Sequence, residues 1–309
     1  MKDSFGREIS YLRISVTRRC NFHCAYCGAG ETAGDELSPE GFARFAAAFA
    51  KAGIVKIRLT GGEPLIRPDI AEIASAVRQA AAPKTLAVTT NGFLLAEKAA
   101  ALKAAGVNAV NLSLDSLDPE CFRRMTGRDA LSAVTRGLET ALSAGFERVR
   151  LNAVLLRGVN DGEAEKLIAL AKDYPLDVRF IELMPTAGGE FEDRRVTSAE
   201  LKARFPGLEP LPPEEGAAEY WTAPGFRGRI GFISPVSRKF CGDCTRIRLL
   251  CDGSVMPCLG QKEIYDLRPF MDDAEALETQ VRAVILKKPA GHHMEDPAGG
   301  LAEMNRIGG

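Results

Sequence analysis

Six of the eight cysteines in this 309-residue chain fall into two triplets, Cys20-x3-Cys24-x2-Cys27 and Cys241-x2-Cys244-x13-Cys258. Each triplet offers three thiolates and no patterned fourth. An iron–sulfur cubane takes one cysteine per iron, so three cysteines leave one iron open for another ligand. The same logic separates catalytic zinc sites, which keep an open position, from closed structural ones. Two such sets point to redox or radical chemistry at two poles of one site. A zinc knuckle is the rival for the first set, with His23 the nearest fourth ligand and awkwardly placed inside the motif. For the second set zinc stays open, because Cys251 supplies a candidate fourth thiolate. Cys121, at the helix start Asp118-Pro119-Glu120, reads as a small buried hydrophobe.

The segments that must carry these cysteines alternate strand and helix up to about residue 184. Tyr11–Thr17, Ile54–Thr60, Lys84–Thr90, Val107–Leu114, Arg148–Leu155 and Val178–Met184 read as strands. Pro39–Ala52, Asp69–Ala81, Ala130–Ser143 and Gly162–Asp173 read as helices between them. Six such units predict an α/β fold with a parallel sheet, a partial (β/α)6 barrel of TIM type. The first cysteine loop then lies at the carboxyl end of the first strand, where such folds place their chemistry. Gly61-Gly62-Glu63-Pro64 follows the second strand; its glycines allow close backbone approach to a ligand, and Glu63 suits an ammonium group.

Strands covered on both faces usually read as continuous apolar runs. Here alternate positions are polar: Arg13, Ser15, Thr17; Lys56, Arg58, Thr60; Asn111, Ser113, Asp115; Arg148, Arg150, Asn152. Side chains alternate across a strand, so these groups share one surface while Ile14, Val16, Ile57, Leu59, Leu112 and Leu151 face the helices. A lumen lined by Arg and Lys suits a polyanion, since guanidinium forks match phosphate. The bland alternative is a set of surface arginines on an exposed sheet.

Beyond Met184 the pattern changes. Thr186–Arg195 reads as a loop, Thr197-x-x-Glu200 as a capping box, and Pro206–Glu215 as a proline-rich connection. Gly228–Ser234 reads as a strand, and Asp252-Gly253 as a hairpin turn that returns Cys258 towards Cys241 and Cys244. A last helix spans Asp273–Leu286, and His292 and His293 read as solvated tail residues. Residues 1–184 form the expected barrel domain and 185–309 an extension carrying the second cysteine set.

Composition sets outer bounds. A net charge of −1 gives no cause to expect nucleic acid or an anionic membrane as partner. The start MKDSFGREISYLRIS lacks the apolar core of a signal peptide, and no run is long enough to span a bilayer. Eight cysteines without secretory context argue for metal binding in a reducing cytoplasm.

Ordered blocks along the whole chain resemble the radical S-adenosylmethionine superfamily and, within it, the GTP 3′,8-cyclase (MoaA) family of molybdenum cofactor biosynthesis. They are FGREISYLRISVTRRCNFHCAYC, IRLTGGEPLIR, TTNG, NLSLDSLDPE with TGRD, GVND, RFIELMP, GFISPVSRKFCGDCTRIRL with DG, and the terminal Ile-Gly-Gly. The resemblance implies that Cys20, Cys24 and Cys27 hold a [4Fe–4S] cluster that chelates S-adenosylmethionine. It implies cofactor contacts at Tyr26, Gly62, Ser113 and Met184. Cys241, Cys244 and Cys258 would hold a second [4Fe–4S] cluster facing guanine. Arg13, Arg58, Thr89, Arg150, Arg246, Ile247 and Arg248 match the family's GTP-contacting positions, with Lys56 and Arg179 as supporting cations. Gly308 and Gly309 would thread into the active site as catalytic residues.

The implied reaction belongs to the carbon–carbon lyase class. A 5′-deoxyadenosyl radical takes hydrogen from ribose carbon 3′, and the sugar then bonds guanine carbon 8. The product is (8S)-3′,8-cyclo-7,8-dihydroguanosine 5′-triphosphate. Implied partners are a cyclic pyranopterin monophosphate synthase downstream and an electron donor such as flavodoxin or ferredoxin, with a homodimer compatible. The rivals are a radical enzyme of the same two-cluster build acting on a peptide or another nucleotide, and a non-enzymatic zinc-binding protein. Five positions depart from the family pattern: Gly28-Ala29 for Met-Pro, Arg18 for Asp, Arg150 for Lys and Thr245 for Asn.

Overall fold

The computed structural model describes residues 1–27, 34–185 and 192–294. Six strands lie side by side in chain order, all parallel: β1 (Tyr11–Ser15), β2 (Lys56–Thr60), β3 (Thr85–Thr90), β4 (Ala109–Ser113), β5 (Arg148–Val154) and β6 (Asp177–Ile181). They are the expected strands, each shorter than expected, with β6 starting one residue earlier at Asp177. Between them run α1 (Pro39–Lys51), α2 (Ile70–Ala81), α3 (Leu95–Ala104), α4 (Pro119–Thr126), α5 (Leu131–Ser143) and α6 (Ala164–Asp173). Local chemistry sets several of their ends. Ser38 caps α1 by accepting from the Gly41 amide ahead of Pro39. Asp118 caps α4 likewise, and Gly127 ends it in the left-handed conformation at φ +71°. The inward face of α1 buries Phe42, Phe45 and Phe49 against the apolar face of the sheet.

The sheet continues past six strands. After α7 (Ser198–Arg204), whose predicted capping box between Thr197 and Glu200 is formed, come β7 (Glu209–Pro210), β8 (Glu219–Thr222), β9 (Arg229–Ile233), β10 (Arg246–Leu249), β11 (Ser254–Met256) and β12 (Tyr265–Asp266). β9 adds in parallel to β6, and β10 adds in parallel to β1 at the other side. Antiparallel pairs, β8–β7 and β11–β12, flank these in turn. The order is β12-β11-β10-β1-β2-β3-β4-β5-β6-β9-β8-β7. β7 lies within the expected proline-rich connection Pro206–Glu215 and β8 just beyond it, where no element was expected; both are too short to show a period. The Asp252-Gly253 hairpin is present between β10 and β11, with Gly253 at φ +87°. Finally α8 (Ala274–Leu286) packs on α1.

Flat, a sheet would hold β10 and β6 roughly 29 Å apart across six strand spacings. Residues of both line one cavity, so the sheet curves round it as a partial barrel does.

Candidate active site

Register creates the site. Arg248, Arg13 and Arg58 stand level on β10, β1 and β2, and one side-chain step along the same face Arg246, Tyr11 and Lys56 stand level in turn. Arg150 on β5 and Arg179 on β6 close the far side. All of them line a cavity of about 250 Å³, and Arg13, Arg58, Arg150, Arg179 and Arg248 are buried in it. The reading as outward surface arginines is therefore wrong. Only Glu214, Glu215 and Asp243 bring carboxylates to the described lining. Asp177 is engaged beneath, gripping Arg229 through both oxygens at 2.9 and 2.8 Å and lying 3.5 Å from Arg150.

Burial first, and then neighbouring cations, make these guanidinium charges costly. Arg13 is held well below its usual range, Arg58 is lowered, Arg248 falls to about 10 and Arg179 to about 9. The Nε atoms of Arg58 and Arg248 are buried with no hydrogen-bond partner among the described residues. Arg179 is oriented by neutral groups, donating to Asn111 at 2.7 Å and Asn152 at 2.6 Å. Buried cations lacking counter-charge destabilise a fold unless an anion supplies it. The lumen is built for a polyanion.

The second cysteine set opens on this same cavity: Cys241, Cys244 and Cys258 all line it. The Cys244 amide donates to the Cys241 carbonyl, and Arg7 donates to that carbonyl at 2.8 Å while paired with Asp3. Lys288, itself buried, donates to the carbonyls of Arg246 and Pro257, each 2.8 Å away and each next in reach of a cysteine segment. Burial alone would raise the Cys244 thiol, but Lys288 and Arg246 outweigh it and bring it down. Cys251 does not join them. It is packed in the apolar core, with its carbonyl taken by the Leu37 amide, so it offers no fourth thiolate here. His292 also departs from expectation: it is buried in the cavity wall instead of solvated.

The first set lies in the loop after β1. Gly61 and Gly62 closely approach this loop. A Cβ on Gly61 would meet the Thr17 carbonyl oxygen at 2.4 Å, and one on Gly62 the Arg19 oxygen at 2.2 Å. Amides of Gly62 and Glu63 donate to those same carbonyls. The Glu63 carboxylate accepts from the Thr90 hydroxyl and from the Leu65 and Asn91 amides, a buried clamp on the segments around it. Burial raises it to about 7. Phe22 plugs the loop into the core edge-on against Phe93 and Phe122. Cys20, Cys24 and Cys27 are free thiols, half-buried together. Burial, then Asp115 and the other two sulfurs, hold Cys24 well above its usual range; burial and then Cys20 push Cys27 up to about 12. Three thiols that repel one another as anions are a donor set suited to a cationic core with one sulfur per iron. Among the described residues no group of three or more His, Cys, Asp or Glu is gathered closely enough for a single metal ion; a cubane spreads its ligands further.

Of the expected cofactor contacts, Tyr26 donates to Asp115 at 2.7 Å, whose carboxyl burial raises to about 6. Gly62 and Ser113 sit at the carboxyl ends of β2 and β4, and Met184 lines the cavity. Ile247 needs correction: strand alternation turns its side chain into the core between Arg246 and Arg248. Thr89 is buried but is not part of the cavity lining. Gly28, Ala29, Gly308 and Gly309 lie outside the described residues. Arg18, the unusual residue before the loop, is paired with Asp252 in the β10–β11 turn. Sequence reading passed over Tyr11, although it shares the alternating face of Arg13 and Ser15. It also passed over Pro289 and Gly291, which no periodicity marks and which line the cavity.

Residues 14–171 match the radical SAM superfamily profile, and residues 176–294 match Molybdenum Cofactor Synthesis C. The chain is 40% identical to a GTP 3′,8-cyclase of Alkaliphilus oremlandii over 100% of both chains. It is 41% identical to GTP 3′,8-cyclase 2 of Pseudomonas aeruginosa over 95% of this chain and 93% of that one. It is 40% identical to molybdenum cofactor biosynthesis protein 1 of Bos taurus over 92% of this chain, spanning only 47% of that longer protein. In fold it is similar to Streptococcus suis SuiB bound to S-adenosylmethionine, with a TM-score of 0.66 at 14% identity over 97% of this chain and 77% of that one. Methylornithine synthase is similar at a TM-score of 0.53 and 19% identity, over 66% and 64% of the two chains.

Proposed function

The chain belongs to the GTP 3′,8-cyclase family of radical S-adenosylmethionine enzymes, and we propose that it carries out that reaction on GTP inside the arginine-lined cavity. It is an enzyme of molybdenum cofactor biosynthesis. Family membership brings S-adenosylmethionine and an iron–sulfur cluster; the second cluster is our inference from Cys241, Cys244 and Cys258. No helix among the described residues is long and apolar enough to cross a membrane.

The observation that carries the reading is the set of buried arginines facing one cavity from β10, β1, β2, β5 and β6 with few carboxylates among them. Cys20, Cys24 and Cys27 would hold the first cluster, with Tyr26, Gly62, Ser113 and Met184 around S-adenosylmethionine. When bound, that cofactor and cluster supply the one-electron chemistry that begins the reaction. Arg13, Arg58, Arg150 and Arg248 would neutralise and fix the triphosphate, holding the ribose in one place. Arg246 and the second cysteine set would face the base. Residues 1–184 then serve the cofactor and 185–309 the base, although both sides of the sheet are completed by the second part. Gly308 and Gly309 are proposed to reach the same cavity, whose wall already includes Pro289, Gly291, His292 and Met294. The product would pass to a synthase that rearranges it, and a flavodoxin or ferredoxin would supply electrons.

Anaerobic iron and sulfide analysis tests the two-cluster assignment. The expected content is about eight irons per chain, falling by half in Cys258→Ala. Stoichiometric zinc without sulfide would overturn it.

A further inference from the structure

We propose that Tyr11 is a ligand-contacting residue of the cavity, its phenol hydroxyl donating a hydrogen bond to a phosphate oxygen of the bound nucleotide. This deepens, and rests on, the reading of the lumen as a triphosphate site. Tyr11 is 7% exposed and lines the cavity, yet its buried hydroxyl has no hydrogen-bond partner among the described residues. A buried tyrosine hydroxyl normally finds one, because leaving the group unsatisfied costs its full desolvation.

Its neighbours say what the missing partner is. Lys56 Nζ lies 4.7 Å and the Arg58 guanidinium 5.4 Å from the ring centroid, and Arg246 stands level with it on β10. These cations donate and cannot accept, so none satisfies the hydroxyl proton. The group that answers all of them at once is an anion rich in acceptor oxygens. Tyr11 is also rigidly placed, since its amide donates to the Thr245 carbonyl at 3.1 Å beside Cys244. Burial alone would raise the phenol, but Arg58, Arg13, Lys56 and Arg246 outweigh burial and bring it to about 8. A bound polyanion offsets those charges and keeps the proton on the oxygen as a donor.

A plain packing role would be served equally by phenylalanine, which defines the test. Full-length wild type and Tyr11→Phe, with clusters reconstituted anaerobically, are compared by equilibrium dialysis against GTP, inorganic tripolyphosphate and guanosine. The variant should bind GTP and tripolyphosphate about tenfold more weakly and guanosine as before. Unchanged tripolyphosphate binding in Tyr11→Phe overturns the proposal. So does an equal loss for all three probes, which marks a packing residue. Wild type that binds tripolyphosphate but not GTP would refute the nucleotide reading alone, with the phenol contact still scored on tripolyphosphate.

Discussion

Arg248, Arg13 and Arg58 on three neighbouring strands repel one another across a buried space, and that repulsion serves binding at the expense of stability. The two effects separate by substitution. Arg58→Met removes one of the crowded charges while filling similar volume. The ligand-free protein should melt a few degrees higher, a gain on the order of 1 kcal/mol. Its GTP affinity should fall about tenfold or more, because a charge-assisted hydrogen bond is lost. Parallel thermal melts and anaerobic GTP titrations check both signs. A variant that melts lower and binds normally would show that Arg58 is structural.

At the scale of elements, the decisive contact is between two loops. Gly61-Gly62 lies so close to Thr17–Arg19 that any side chain meets a carbonyl oxygen. Gly62→Ala should therefore displace the loop that carries Cys20 and lower first-cluster iron, with the second cluster unaffected; cysteine-loop iron is read by Mössbauer or by iron analysis in a Cys258→Ala background. Retained iron there would contradict the clamp. Asp252→Ala, which frees Arg18, should loosen the same loop more mildly. This level also shows how far the sequence could be read. The six strands, the capping box at Thr197 and the Asp252-Gly253 turn were legible because period and turn chemistry are local properties. The arginine lumen was legible for the same reason, as alternation fixes a face. The loop contacts of Gly61, Gly62 and Glu63 were not, because nothing local says which segment packs against them. Ile247 failed through a motif taken whole, when alternation would have turned it inward. β7, β8 and the buried place of His292 depend on tertiary pairing that two- to four-residue strands cannot announce.

For the whole molecule, the second half of the chain extends the sheet on both sides and brings a second cysteine set to the same cavity as the arginines. The halves should fail differently. Cys258→Ala should abolish cyclisation while some reductive release of 5′-deoxyadenosine remains; total loss of that release with the first cluster intact would refute separate roles. Removing Gly308 and Gly309 should leave both clusters and GTP binding in place and strongly reduce product, so undiminished yield would remove the tail from the site. The central claim is that GTP is held with its ribose presented to the cofactor. It is tested most directly with GTP deuterated at carbon 3′, incubated anaerobically with the reconstituted protein, S-adenosylmethionine and reductant. The account predicts deuterium in the released 5′-deoxyadenosine, in proportion to a cyclised product of the same elemental composition as GTP. Undeuterated 5′-deoxyadenosine with GTP unconsumed would contradict it.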